Sequence, residues 1–418
     1  MAKARSFGRF VPLIACAFLV AALGSQELHH TAGVVNVEVP VRVFDGDRFV
    51  DDLTIDDFEV FENGKPQRIV GLYLVRKTNI QKEETPVPAA PKSANLAPKT
   101  TRTIVLEFEV LDPMPKLDEA IDYFFNEVIE PGDSLTVITP RATYRFKPEA
   151  LARLPRPVIA DQLKGRLRKD ILAGAMEFKI LLGEIKDLLL DMGGMSGATM
   201  YQSPDPNRDQ KVMMINEVVR QLRDRIGIDP AAMRRMAEKL KPLEGQKYIF
   251  LFYEKELISD ISSLFGYFGD ESLPPEERYL ADMAAMEINR STEVTPKDIE
   301  RMFSDASVTA HFIYLTQSKM NAAGRDVEEQ MRSGMPLKDM SSPIFSVFQD
   351  IARITGGITE ASGNPFAAFR KAVTATENYY LIYYSPADYR ADGKFKEIKV
   401  SIKGKNYRVS NRAGYFAN

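Results

Sequence analysis

The clearest pattern in the chain is an alternation of apolar and polar residues close to the N-terminus. From residue 34 the sequence reads VVNVEVPVRVF, which puts five valines on one side of an extended chain: Val35, Val37, Val39, Val41 and Val43. This period of two predicts a half-buried strand of an antiparallel sheet. Further β-type runs follow, separated by an Asn63-Gly64 hairpin signal. Residues 34–76 therefore predict most of a β-sandwich, with too few strands to complete it.

A different pattern begins after residues 82–101, where KEETPVPAAPKSANLAPKTT is rich in proline and alanine and predicts a semi-extended linker. The runs TRTIVLEFEVL, KYIFLFYE and VTAHFIYLTQ are then continuously apolar, which is typical of strands in a sheet that is covered on both faces. Helical sequence lies between them. Residues 102–376 therefore predict a doubly wound α/β domain, with helical insertions at about 151–245 and 272–304.

Strand-like sequence returns in the last part of the chain. Residues 377–418 contain NYYLIYYSP, FKEIKVSIKG and YRVSNRAGYF. These segments supply the strands that the first segment lacks. We expect the N- and C-terminal strands to form one β-sandwich, with the α/β domain inserted between them.

Composition excludes several classes of function. Lys and Arg total 55 against 58 Asp and Glu, a net charge of -3, so no overall positive field favours nucleic acid. The one cysteine, Cys16, rules out a disulfide framework, a cysteine-based zinc site and, elsewhere in the chain, a cysteine nucleophile. Three histidines leave almost nothing for a catalytic triad or a multi-histidine metal centre.

The first 24 residues have the order of a secretory signal. Basic residues precede an apolar run from Phe10 to Leu23, and small residues follow it. We expect cleavage near Gly24 and export to the periplasm or the cell exterior, with no membrane span afterwards. Two alternatives stay open, an uncleaved membrane anchor and a lipoprotein attached through Cys16.

Several blocks of the chain resemble a bacterial family of secreted proteins with a von Willebrand factor type A-related domain. The matching blocks are VNVEVPVRVFDGDRFVDDLTIDDFEVFENGKPQRI, TIVLEFEVLDPM, GATMY, IARITGGI and NYYLIYYSPADYRADGKFKEIKVSIKGKNYRVSNRAGYF. In order and spacing they cover almost the whole chain after residue 24. The resemblance implies a doubly wound, Rossmann-like type A domain that binds proteins or surfaces, with no known catalytic activity.

Type A domains often hold Mg2+ through an Asp-x-Ser-x-Ser motif after the first strand, a Thr from a second loop and a late Asp. Aligned to this family pattern, the first motif falls on Glu109, Leu111 and Pro113, so both hydroxyl ligands are missing. The second-loop Thr falls near Ala198, with Thr199 one place along, and the late acid falls near Glu254.

Asp112 offers a substitute oxygen beside Glu109, so the resemblance leaves room for a rearranged acidic site. The candidate metal ligands are then Glu109, Asp112, Thr199 and Glu254. Because octahedral Mg2+ tolerates little displacement of its ligands, we expect a scaffold without a working metal site and no bound cofactor.

Two other groups of residues have simpler explanations than a ligand site. His311 lies within an apolar strand, which favours a hydrogen-bonded core histidine over a metal ligand. The tyrosines between 379 and 389 alternate along a strand, which favours packing over a ligand platform.

The sequence thus predicts an exported, non-enzymatic protein that interacts with a protein or a cell surface and not with nucleic acid. The first alternative is an adhesion module that requires Mg2+ or Ca2+ at the rearranged acidic site. A remote alternative is a hydrolase that uses carboxylates alone.

Overall fold

Strands from both ends of the chain form two antiparallel sheets, which we call the frame. The computed structural model describes residues 35–85, 98–192, 207–226, 230–254, 279, 283, 296–315 and 342–418. The N-terminal strands are β1 (Val37–Asp45), β2 (Arg48–Phe49), β3 (Phe58–Glu62), β4 (Lys65–Gln67), β5 (Ile69–Arg76) and β6 (Asn79–Glu84).

The middle of the chain supplies a third sheet and most of the helices. Its strands are β7 (Arg102–Glu109), β8 (Ser134–Ile138), β9 (Thr143–Phe146), β10 (Gln246–Glu254), β11 (Val308–Leu315) and β12 (Thr359–Ser362). Its helices are α1 (Pro115–Tyr123), α2 (Pro148–Arg153), α3 (Arg156–Met192), α4 (Arg208–Ile226), α5 (Pro230–Leu240), α6 (Pro296–Asp305), α7 (Ser342–Thr355) and α8 (Pro365–Glu377). The chain then ends in β13 (Asn378–Tyr384), β14 (Phe395–Ile402), β15 (Arg408–Asn411) and β16 (Gly414–Phe416).

Each sheet of the frame mixes N-terminal and C-terminal strands. One sheet has the order β15-β1-β13-β5-β6, with β2 paired to β1, and the other has the order β16-β14-β3-β4. In the first, Val39 lies opposite Ile382, and in the second, Val60 lies opposite Val400. All four side chains belong to one apolar core between the two sheets. Neither end of the chain could build that core alone.

The hairpin between β3 and β4 follows from its turn residues. Asn63 and Gly64 both have positive φ, 48° and 78°. Two consecutive positive φ values are the requirement of a type I′ turn, which matches the twist of a hairpin and favours Asn-Gly. The hairpin predicted from this dipeptide is confirmed.

The expected half-burial of β1 is wrong, because the strand is buried on both faces. Val39 and Val41 are fully buried on the inner face, and Arg42, on the outer face, is only 2% exposed. The outer face of this sheet also carries a second apolar cluster, which contains Tyr73, Tyr379 and Tyr383. The middle of the chain covers this face, so polar residues that the alternation assigned to solvent are enclosed.

The third sheet has the strand order β12-β11-β10-β7-β8-β9. Its pairs are parallel from β12 through β8, and β9 is antiparallel to β8. Leu106 and Phe108 on one face pack with residues of α1, α3 and α8. Val105 and Leu251 on the other face pack with residues of α5, α6 and α7. Burial on both faces explains why these strands read as continuous apolar runs.

Several predicted boundaries shift or fall outside the described residues. Strand β6 runs to Glu84 and so enters the predicted linker, whose residues 86–97 lie outside the described part. The predicted signal at 1–24 also lies outside it, as does most of the insertion at 272–304. Within the described residues, no helix is long and apolar enough to cross a membrane.

A buried layer of polar side chains joins the frame to the parallel sheet. Arg412, only 7% exposed, donates hydrogen bonds to the carbonyl oxygens of Glu38 (2.6 Å) and Ser304 (3.4 Å) and to the Ser307 hydroxyl. Burial lowers the pKa of this guanidinium. Lys247 donates to the carbonyl oxygen of Ala306 (2.7 Å), and burial lowers its pKa to about 8. We call this layer the seam.

We expect Arg412→Met to destabilise the protein by about 3 kcal/mol, because three acceptors in the seam lose a buried charged donor. Urea unfolding followed by circular dichroism measures the change. Lys399→Met removes an exposed charge from β14 and serves as the control, with an expected change within about 0.5 kcal/mol. Equal unfolding midpoints for the two variants would show that the seam does not stabilise the fold.

Candidate functional site

Three of the four predicted metal-site residues meet at the carboxyl edge of the parallel sheet. Glu109 ends β7 and Glu254 ends β10, and in the register of these neighbouring strands Glu109 lies opposite Tyr253. Asp112 lies three residues beyond β7. Thr199 lies outside the described residues.

Glu254 fastens the loop that follows β7. Its side chain is fully buried, and one carboxylate oxygen, Oε2, accepts hydrogen bonds from the backbone N–H groups of Leu111 (2.6 Å) and Asp112 (3.0 Å). Backbone N–H groups stabilise a buried carboxylate, so a positive ion is not needed at that oxygen.

The residues present are a poor fit to the Mg2+ site that the family resemblance implies. Two backbone donors occupy Glu254 Oε2, and Leu111 and Pro113 stand where the motif has hydroxyl ligands. Among the described residues, no group of three or more Asp, Glu, His or Cys side chains is arranged to hold a metal ion. The carboxyl edge is therefore better described as a fastened loop.

Glu107 is a titratable group that the sequence analysis missed. It lies on β7 opposite Leu251 and Ile138, on the face that α5, α6 and α7 cover. Burial raises the pKa of this carboxyl to about 7. Local sequence gave no signal, because Glu107 is one of two glutamates in TIVLEFEVL and both read as polar strand residues. Only the covering helices show that Glu107 lies against a packed face.

His311 is a core residue, as its apolar surroundings in the sequence predicted. It is 2% exposed, its ring stacks on Phe250 at 4.9 Å, and its Nδ1 accepts a hydrogen bond from the Ile358 N–H at 3.2 Å. Burial lowers its pKa to about 3. The ring is therefore neutral at physiological pH. Its hydrogen bond fixes the backbone of Ile358, directly before β12.

A large open cleft lies where the frame meets the parallel sheet, and we call it the seam cleft. Its volume is about 1320 Å3. One wall consists of β2, β15 and the adjoining end of β1, and the other of α7, β12 and α8. Lining residues run from Phe44 to Asn411, so the sequence offered no local signal for it.

The charge of the seam cleft is opposite to that of the whole chain. Of the residues that the structure describes, six basic ones line it: Arg48, Arg76, Arg353, Arg370, Lys371 and Arg408. Three acidic ones also line it: Asp47, Asp51 and Glu360. The chain as a whole carries a net charge of -3. The cleft thus concentrates positive charge on an otherwise slightly acidic protein.

Half of those basic residues are already paired. Arg76 binds Asp51 at 2.5 Å, Lys371 binds Glu360 at 2.7 Å, and Arg353 binds Asp350 of its own helix at 3.0 Å. The other three form no ion pair with any residue that the structure describes: Arg48, Arg370 and Arg408.

The chemistry of the seam cleft suits recognition. The described residues of its lining include neither histidine nor cysteine. Ser410 is committed through its hydroxyl, which donates to the Gly356 carbonyl oxygen at 2.9 Å. The lining carboxylates of Asp51 and Glu360 are held in ion pairs. The Ser410 hydroxyl and these two carboxylates are therefore already engaged and are not placed as a nucleophile with its base.

Comparison with known proteins adds little to this description. No family model matches the chain, and no curated protein matches it. Among solved structures, the chain is similar to the human COPII-coat protein Sec24c with a TM-score of 0.31 and 6% identity. That match covers 76% of this chain and 44% of the Sec24c chain, so this chain matches less than half of its length. The type A assignment therefore rests on the sequence resemblance.

We expect Glu254→Ala to lower the free energy of unfolding by about 2 kcal/mol, because two loop N–H groups lose their acceptor. Glu254→Gln keeps an oxygen acceptor, so its loss should be smaller. Glu244→Ala removes an exposed carboxylate 3.7 Å from Lys99, and this control should change stability by less than about 0.5 kcal/mol. Thermal unfolding ranks the three variants, and a neutral Glu254→Ala would contradict the role of Glu254 in fastening the loop.

Glu107 predicts a pH dependence of stability. The pKa of this carboxyl is about 7 in the folded state against an ordinary value of 4.5, so the folded state binds more protons between these pH values. The contribution of Glu107 to the free energy of unfolding is fully present below about pH 4.5 and falls as the pH rises to about 7.

Glu107→Gln should therefore become more stable than the native chain as pH rises from 5 to 8, by up to about 3 kcal/mol. Denaturant unfolding at several pH values measures the difference. Glu127→Gln, which removes an exposed carboxyl, is measured alongside as the control. A flat difference for Glu107→Gln would mean that its carboxyl titrates normally.

Proposed function

We propose that the chain is a non-enzymatic interaction protein that binds a protein or cell-surface partner in the seam cleft. The observation that supports this most is the cleft itself, about 1320 Å3 in volume and walled by both parts of the fold. Sites for small molecules typically enclose about 300–1000 Å3 and are mostly apolar. A larger, open and charged cleft fits a macromolecular partner better.

The lining supports binding without catalysis. Two of the lining carboxylates, those of Asp51 and Glu360, are held in ion pairs, and the hydroxyl of Ser410 is committed, as described above. We further propose that the protein is exported, a proposal that depends on the signal-like order of residues 1–24.

A second candidate function is an adhesion module that requires Mg2+ or Ca2+. It is favoured by one observation, the neighbouring positions of Glu109 and Glu254 at the end of two paired strands. It differs from the first proposal in its partner site, at the carboxyl edge, and in its need for metal.

Position-specific cross-linking separates the two candidates. The photoreactive residue p-benzoylphenylalanine replaces the exposed cleft residue Gln349 in one variant and the exposed Lys169 of α3 in a control. Each purified chain is mixed with the envelope fraction of the cells that produce it and irradiated, with Mg2+, with Ca2+ or with EDTA.

We expect a discrete protein adduct from position 349 that persists in EDTA, and none from position 169. Adducts that vanish in EDTA and return with Mg2+ or Ca2+ would favour the adhesion module. Identical adducts from both positions, or none from either, would overturn binding in the seam cleft.

A further inference from the structure

We propose that the seam cleft binds an extended acidic segment of a partner protein, which adds to the free edge of β12 and places carboxylates on the unpaired arginines. This inference rests on the proposed function and names the chemistry of the partner. Three features of the cleft support it: the fixed positions of two guanidinium groups, the surplus of positive charge and the open edge of a strand.

Two of the unpaired arginines are held on aromatic rings, one on each wall. The Arg408 guanidinium lies over the Phe44 ring, 4.4 Å from its centre, and Phe44 is anchored edge-to-face on Phe49. On the opposite wall, the Arg370 guanidinium lies over the Phe366 ring at 5.3 Å. Stacking uses the flat face of a guanidinium and leaves its N–H edge available.

An available guanidinium edge matches a carboxylate. Its parallel N–H groups bind both oxygens at once, and a side chain already fixed by stacking loses less entropy when it does so. Because the lining carries six basic and three acidic residues, a partner segment without acidic side chains would leave the surplus charge unmatched. The cleft therefore selects carboxylates.

The free edge of β12 favours an extended backbone as the occupant. This strand ends the order of the parallel sheet, and among the strands that the structure describes it pairs only with β11. Just before it, the Ile358 N–H donates to His311 Nδ1 and the Ile358 carbonyl oxygen accepts from the Phe312 N–H, so both groups face β11. Successive residues of a strand direct their backbone N–H and carbonyl groups to opposite sides. The N–H and carbonyl groups of Thr359 therefore face away from β11.

Thr359 and Glu360 both line the cleft, on the wall that also carries Arg370 and across the cleft from the wall that carries Arg408. A peptide that lies along this edge gains backbone hydrogen bonds, and its alternate side chains point towards the walls. Polyphosphates and nucleic acids match the charge but cannot form these backbone hydrogen bonds. We therefore assign the site to an acidic polypeptide.

The test uses the full chain and a fluorescent twelve-residue peptide of alternating glutamate and threonine, with binding followed by fluorescence anisotropy. The cleft variant carries Arg48→Gln, Arg370→Gln and Arg408→Gln. The control variant carries Arg145→Gln, Arg153→Gln and Arg168→Gln, which removes three exposed charges elsewhere. Both variants change the net charge equally, so long-range attraction falls in both.

We expect saturable binding of the glutamate peptide that weakens at least tenfold in the cleft variant and less than twofold in the control. Binding should also weaken with added salt. A peptide with glutamine in place of glutamate should bind at least tenfold more weakly. Glutamate peptides with alternate N–H groups methylated should lose affinity when one edge is blocked and keep it when the other is blocked.

Equal losses in the two arginine variants, or no saturable binding, would overturn the inference. So would an oligonucleotide or polyphosphate of equal charge that displaces the peptide while methylation has no effect, since that pattern indicates a general anion site. A cross-link at position 349 without peptide binding would leave the proposed function standing and overturn only the acidic segment.

Discussion

The burial of strand β1 on both faces is the constraint on which the rest of the molecule depends. Its valines fill the core of the frame, and its polar side chains face the parallel sheet in place of water. A buried polar group must find partners, so the seam is built from hydrogen bonds. Arg42 donates to the Gly356 carbonyl oxygen, and Glu38 accepts from Tyr383 (2.6 Å) and Gln246 (3.2 Å). These directional contacts fix how the two parts of the fold meet and thereby shape the seam cleft.

The carboxyl edge and the outer strand of the parallel sheet have different surroundings. At the carboxyl edge, the Glu254 carboxylate holds the loop after β7 by accepting hydrogen bonds from two backbone N–H groups. At the outer strand, no described strand pairs with the second edge of β12, and charged residues of two separate parts of the chain line the cleft beside it. Recognition in this protein is therefore proposed at the junction of frame and sheet, where neither part alone supplies both walls.

Local sequence predicts the elements well and their surroundings poorly. Continuous apolar runs indicate β10 and β11, which the structure has at Gln246–Glu254 and Val308–Leu315, and Asn63-Gly64 indicates its hairpin. The same reasoning assigned Arg42 to solvent, because alternation reports two faces and not what covers them. The four-residue strands β9 and β12, at opposite ends of the parallel sheet, give no sequence signal because short strands carry too few residues for a period to show. The seam cleft was missed because its residues come from both ends of the sequence.

The shared sheets of the frame set an order of events during folding. The bond between Tyr383 and Glu38 spans 345 residues, and β1 has no complete sheet until β13 arrives. Contacts of such separation are slow to form, because a long loop must close before they stabilise anything. During synthesis the apolar faces of the first strands therefore stay unpaired until nearly the whole chain has been made. Unpaired strand edges are prone to aggregation, so this topology leaves the newly made chain at its greatest risk of aggregation until its last strands are complete.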